Sequence, residues 1–278
     1  MSANRVRRTT PRERAIARYF EKEKAENDDG YIEPTREARN GIVFVLGRPD
    51  EELCDDVTLD RTGVGLLWEP ATDLLCDFLE SNVDALLSLG GARAVELGSG
   101  AGVAGMVWAQ MCGRCEWTGI RWPLESDRNA RVRLTDYHPT VLQRLERSVY
   151  LNGLVNVCEV MRLAWGDAAP RARAQLVFGS ELAVSESAAA ALAATLDALL
   201  TPRGLFLYAH TARRAIFRGA GGELCREDGD SALQTLVAAL APRRCVELAA
   251  DDSGDERVVL LGFGSTAANL ASMQSRVR

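Results

Sequence analysis

Glycine falls at every second position in the stretch RAVELGSGAGVAG (93–105), at Gly98, Gly100 and Gly102, just after an apolar run that ends in an acid, Glu96. The apolar run reads as a buried strand, and the residues from Val103 onward read as the start of a helix. A strand–helix turn of this composition lets a ligand approach bare backbone, because the side chains that would block it are missing. The spacing narrows the choice of ligand. A dinucleotide fingerprint, G-x-G-x-x-G/A, needs its third small residue at position 103, where this chain has Val103. The pattern here is E-x-G-x-G-x-G, with Ser99 between the first two glycines, and it suits a single nucleoside.

A nucleoside brings a ribose diol, and a carboxylate at the end of the next strand can accept hydrogen bonds from both hydroxyls. Asp136 is placed for this at the end of the run 132–135. It lies 38 residues past Gly98, against a usual interval of about 20. The excess is accounted for by 114–131, where polar and aromatic residues mix without a period, as in an inserted loop. The same position, three residues before Pro139, also suits an aspartate that caps a helix. Glu116 is nearer the usual interval but has no convincing strand before it. Further on, RLAWGD (162–167) follows a third strand. Trp165 there offers a flat face to an adenine ring, or equally to the core, and Asp167 offers an acceptor.

These residues must be held by a frame, and the apolar periodicity supplies one. Strands are expected at 41–46 and 57–59 near an edge, then at 95–97, 132–135, 157–163, 175–178, 205–209, 245–249 and 258–263. Helices are expected at 71–89, 103–111, 141–151, 187–200 and 232–240. Strand and helix alternate, which implies an α/β fold: a doubly wound, seven-stranded Rossmann-like sheet with an antiparallel last hairpin and ligands at the strands' carboxyl ends. The expected organisation is a charged N-terminal arm (1–40), a catalytic domain (41–268, with 114–131 as its insertion) and a tail (269–278).

Composition excludes several classes. The chain has 278 residues, 47% of them hydrophobic and 26% charged, as in a soluble domain with a sizeable core. No apolar run reaches the roughly 18 residues of a membrane span, and the first residues are too charged for a secretory signal. A net charge of −6 argues against general nucleic-acid binding, although Arg5, Arg7, Arg8, Arg12, Arg14 and Arg18 make a basic arm. Seven cysteines, an odd number without an export signal, point to reduced thiols in a cytoplasmic or nuclear compartment. Cys112 and Cys115 form one C-x-x-C, and the two histidines, His138 and His210, are isolated, so no metal is expected.

Four blocks in order resemble the seven-strand lysine methyltransferases of methyltransferase family 16: GVGLLWEPATDLLCDFL (63–79), VELGSGAG (95–102), VRLTDYHPTVLQRLERSVYLNG (132–153) and LAWGD with LVFGSEL (163–167, 176–182). The resemblance covers about residues 40–265. It implies S-adenosylmethionine (AdoMet) as cofactor. It also implies cofactor contacts from Trp68 (at the methionine end), Glu96, Gly98, Ser99, Gly100, Gly102, Asp136 (ribose), Trp165 and Ser180 (along the adenine and the cofactor edge). The family's acid in a D/E-x-x-Y motif matches Glu181, which the resemblance makes the catalytic residue bordering the methyl-transfer channel.

Two positions depart from the family pattern. The motif's tyrosine is Val184, which cannot hydrogen-bond to an amine, and the strand's opening aspartate is Gln175. Methyl transfer from a sulfonium needs in-line approach, a desolvated nucleophile and a route for one proton. Glu181 can serve the last need, so the valine bears on the substrate more than on catalysis. The expected activity is methylation of a lysine on a non-histone protein by a monomeric, cytoplasmic or nuclear enzyme with a protein partner and no membrane partner. Transfer to histidine, an N-terminal amine or a small molecule is the alternative. A catalytically silent AdoMet-fold binding module is a third reading.

Overall fold

The structure is a computed structural model that describes residues 70–90, 93–114, 132–167, 173–212, 229–254 and 256–264, and the backbone of 35–37, 43–45, 216–218 and 224–226. Its elements in chain order are β1 (Thr35–Glu37), β2 (Val43–Val45), α1 (Pro70–Ser81), α2 (Val83–Ser88), β3 (Ala94–Glu96), α3 (Val103–Arg114), β4 (Val132–Asp136), α4 (Pro139–Leu151), β5 (Cys158–Arg162), β6 (Ala174–Ser180), α5 (Glu186–Leu199), β7 (Leu200–Thr211), β8 (Ile216–Arg218), β9 (Leu224–Arg226), α6 (Ser231–Ala239), β10 (Arg244–Asp251) and β11 (Val258–Gly264).

Seven strands form one sheet in the order β10-β11-β7-β6-β3-β4-β5. The pairs β3–β4, β4–β5, β3–β6 and β6–β7 are parallel, and β7–β11 and β10–β11 are antiparallel. The chain starts the sheet at β3, winds outward through β4 and β5, then returns to the other flank of β3 with β6. Such a reversal opens a crevice at the carboxyl ends of the two strands that part there, and doubly wound proteins bind ligands in it. In this chain those ends are Glu96 on β3 and Ser180 on β6.

The strands are apolar on both faces because each face carries helices. Leu176, Phe178, Leu205 and Leu207 pack on one side with Leu75, Phe78 and Leu79 of α1 and Val107 and Trp108 of α3. The intervening Val177, Phe206 and Tyr208 pack on the other side with Leu192 and Leu196 of α5 and Leu236 of α6. The alternation places two cores back to back, with the sheet between them.

All seven sheet strands expected from 95 onward are present, including the antiparallel closing pair. Two expectations need correction, and one hairpin is new. The helix expected over 71–89 is two helices that meet at Asn82, whose backbone leaves the helical region (φ −122°, ψ 21°) and whose side-chain amide shares the Phe78 carbonyl (2.9 Å) with its own backbone N–H (3.1 Å). Residues 43–45 form no edge of the main sheet. They pair with β1, inside the arm expected over 1–40, in a separate ribbon alongside α4. The hairpin of β8 and β9 was not expected at all, its strands being only three residues long. The strand expected over 57–59 and the loop 115–131 lie outside the described residues.

Candidate active site

The glycine turn is strapped between the two neighbours of β3. Leu97 N–H donates to Phe178 O on β6 (2.9 Å), and Ser99 N–H donates to Thr135 O on β4 (2.8 Å). The Ser99 hydroxyl in turn accepts from Thr135 N–H at 2.8 Å. Gly98, Gly100 and Gly102 all have left-handed backbone, with φ of +54°, +51° and +78°. At Gly98 the need for glycine is double. The conformation disfavours a side chain, and a Cβ would sit 2.7 Å from Leu182 Cδ2 and 3.4 Å from Trp165 Cζ2.

Glu96 lies beneath this turn. Its Oε1 accepts from Gly105 N–H (3.1 Å) in the first turn of α3, and its Oε2 is buried with no hydrogen-bond partner. Burial pushes this carboxyl up to about 8, and the nearby Asp136 charge adds to the shift. A neutral carboxyl at neutral pH is the outcome expected of an acid whose lost hydration outweighs the hydrogen bonds it receives from Ser99 and Gly105.

Asp136 ends β4 beside the turn. Its Oδ2 accepts from Gly100 N–H (3.2 Å) and its Oδ1 from His138 N–H (3.0 Å), so it ties the glycine turn to the start of α4. Burial raises its pKa, opposed by those hydrogen bonds. It shapes the entry to α4, where His138 is the N-cap and Pro139 opens the helix, and it borders the glycine turn. Tyr137, next to it, is 54% exposed.

The β6 end supplies the third part. The Ser180 hydroxyl bonds that of Thr72 in the first turn of α1 (2.8 Å). Glu181 follows with φ +53°, the sole non-glycine with positive φ among the described residues. Its Oε1 accepts from Thr211 N–H (2.8 Å) and the Thr211 hydroxyl (2.5 Å), and its Oε2 lies 4.0 Å from His210 Nδ1. A strained backbone of this kind persists only where its surroundings enforce it, and such residues cluster at functional sites. Trp165 is half-buried, packed on the α5 side of the sheet with its ring edge toward Gly98.

The structure therefore brings Gly98, Ser99, Gly100, Gly102, Asp136, Trp165, Ser180 and Glu181 to one edge, with Glu96 directly below it. Trp68 lies outside the described residues. Sequence reasoning missed Thr72, Tyr208, His210 and Thr211. Thr72 sits inside a quoted block (63–79), and His210 was noted only as an isolated histidine; the two β7 neighbours carried no local signal. Among the described residues, no group of three or more His, Cys, Asp and Glu could hold a metal ion, and no helix is long and apolar enough to cross a membrane.

A doubly wound seven-stranded sheet with its last hairpin antiparallel and a glycine turn at the crossover defines the Rossmann-like methyltransferase fold. Residues 56–218 match the model of the lysine methyltransferase family, and the chain belongs to that family. It is 31% identical over 146 residues to zebrafish (Danio rerio) protein N-lysine methyltransferase METTL21A, an alignment covering 50% of this chain and 57% of that protein. The chain thus spans little more than half the length of that relative. Among solved structures it is similar to the glycopeptide N-methyltransferase MtfA, at 16% identity, 70% coverage of this chain, 99% of that one and a TM-score of 0.45. It is also similar to the ribosomal protein L11 methylase of Lactobacillus delbrueckii subsp. bulgaricus, at 15% identity, 66% and 78% coverage and a TM-score of 0.38.

Proposed function

We propose that this chain transfers a methyl group from AdoMet to the side-chain amine of a lysine on a non-histone protein. The observation that carries the reading is the lysine methyltransferase match over 56–218, which spans the glycine turn, Asp136 and Glu181 at one strand edge. The residues present fit the cofactor. Asp136 accepts from the backbone N–H groups of Gly100 and His138, with the Tyr137 N–H beside them, and a carboxylate offers about four acceptor sites, so room remains for a ribose hydroxyl. Gly98 and Gly100 present backbone without side chains, and Ser180 and Trp165 flank the same edge.

AdoMet, when bound, supplies an electrophilic methyl on a sulfonium. The chain's own part is to position an amine, strip its water and hold its proton. In this reading Glu181 does the last. Thr211 fixes its Oε1 through two donors, and the carboxylate so held is the group that receives the proton of the approaching ammonium. Glu96 supports the turn from below through Gly105.

Two measurements test the reading. Isothermal titration should give micromolar binding of AdoMet and of S-adenosylhomocysteine. Tritiated AdoMet incubated with lysate of the native source should then label a discrete protein band, with methyl-lysine found in it by mass spectrometry. Binding without labelling in any fraction would sink the activity and favour a silent binding module. A second reading, transfer to histidine, an N-terminal amine or a small molecule, is favoured by Val184, which is 40% exposed and offers an approaching amine no hydrogen bond. Methyl-lysine in the product would exclude it.

A further inference from the structure

Behind Glu181 runs a line of buried polar groups that the methyl-transfer reading does not use. Ala183 N–H donates to the Tyr208 hydroxyl (3.0 Å), which lies 2.7 Å from His210 Nδ1. His210 Nε2 lies 2.7 Å from Asp230 Oδ2, and Asp230 Oδ1 accepts from Leu233 N–H (2.8 Å) as the N-cap of α6. The proton positions follow from the ends of the line. An ionised carboxylate can only accept, so Nε2 carries the hydrogen toward Asp230. In the Nε2–H tautomer Nδ1 accepts the Tyr208 O–H, and the phenol oxygen accepts from Ala183.

The surroundings make this arrangement conspicuous. Phe206, Phe263 and Leu236 fill the same core, and His210 is only 2% exposed. Polar groups are costly in such a place unless each is bonded, and apolar residues would fill the space more cheaply. What the line achieves is a grip on 181–184. Consecutive residues of β7 hold that segment twice: Thr211 takes the Glu181 carboxylate, and His210, through Tyr208, takes the backbone at Ala183. Between the two grips lies the left-handed Glu181 backbone, a conformation that needs enforcing.

We propose that His210 is a positioning residue for methyl transfer, acting through Tyr208 on the backbone that presents Glu181 and anchored by Asp230; this rests on the role given to Glu181 above. The test uses the full chain with Tyr208→Phe, His210→Gln and His210→Leu, each alone and combined with Glu181→Gln. Tyr208→Phe and His210→Leu should cut the maximal rate of tritium transfer about fivefold or more while the AdoMet Kd moves less than about twofold. In the Glu181→Gln background the same changes should cost almost nothing more, because they act through the group already removed. His210→Gln, whose amide can replace the Nε2 donor, should recover part of the rate lost in His210→Leu. With only two histidines in the chain, imidazole nitrogen NMR should show His210 as the Nε2–H tautomer.

Equal losses with and without Glu181, weakened AdoMet binding, or an Nδ1–H tautomer would each overturn the proposal and leave His210 a structural residue. A wild-type chain that binds AdoMet yet labels nothing overturns the proposed activity and this role with it. An active wild type in which Glu181→Gln is harmless refutes the role of Glu181 alone, and with it that of His210.

Discussion

Replacing Glu96 by glutamine should remove a stability gradient with pH that this one side chain creates. Glu96 is 4% exposed, and burial lifts its carboxyl from an ordinary 4.5 to about 8. A group whose pKa is higher folded than unfolded adds stability that is fully present below the unfolded value and is lost as pH rises through the folded one. The window here is therefore pH 4.5 to 8. A shift of this size corresponds to about 5 kcal/mol across the whole window, of which about 3–4 kcal/mol falls between pH 5 and pH 8. Glutamine has the same shape, can keep accepting from Gly105 N–H, and does not titrate. Urea unfolding of both proteins at pH 5, 6.5 and 8 isolates the effect, because titrating groups not coupled to Glu96 cancel in the difference. The variant should gain about 3–4 kcal/mol on the wild type as pH rises from 5 to 8. A difference that stays flat within about 0.5 kcal/mol would mean Glu96 is ionised beneath the glycine turn, and the burial argument would fail.

Three further outcomes follow from the same geometry. Gly98→Val should abolish AdoMet binding in a calorimetric titration, since the branch meets Leu182 and the left-handed turn resists any side chain. Asp136→Ala should weaken AdoMet binding by about 1–3 kcal/mol, the range for a hydrogen bond to a charged group; if Glu116→Ala does so instead, the ribose acid has been misassigned. Ser185→Ala, which removes the side chain that accepts from Ala188 N–H at the start of α5, should cost about 1 kcal/mol of unfolding free energy and leave the AdoMet Kd unchanged.

The frame was legible in the sequence because each sheet strand is a short apolar run bounded by turn residues, and the helices between them carry one or two apolar faces. The edge was legible for a related reason, since glycine spacing and a strand-end carboxylate are local patterns. Asn82 shows where locality fails. The apolar period runs through it from 71 to 89, so the pattern does not show that one helix ends at Ser81 and another begins at Val83. Asp136 shows a subtler limit, because its carboxylate ties the glycine turn to the start of α4, a tertiary link that no local pattern announces. His210 shows the largest gap. Its meaning lies in Tyr208, two positions away, and in Asp230, which arrives from a different element after an intervening hairpin.

The crossover at β3 also dictates an order of assembly. Ala94 on β3 pairs with Leu176 on β6, and Glu96 pairs with Leu134 on β4, so the two flanks of the central strand come from distant parts of the polypeptide. During synthesis, a nascent chain that has emerged only as far as β5 owns the glycine turn and Asp136 but no strand to hold Leu97 from the other side. Closing that long loop is the entropically expensive, slow kind of contact. The crevice becomes whole only when β6 docks, so competence to hold a nucleoside is gained late and in one step.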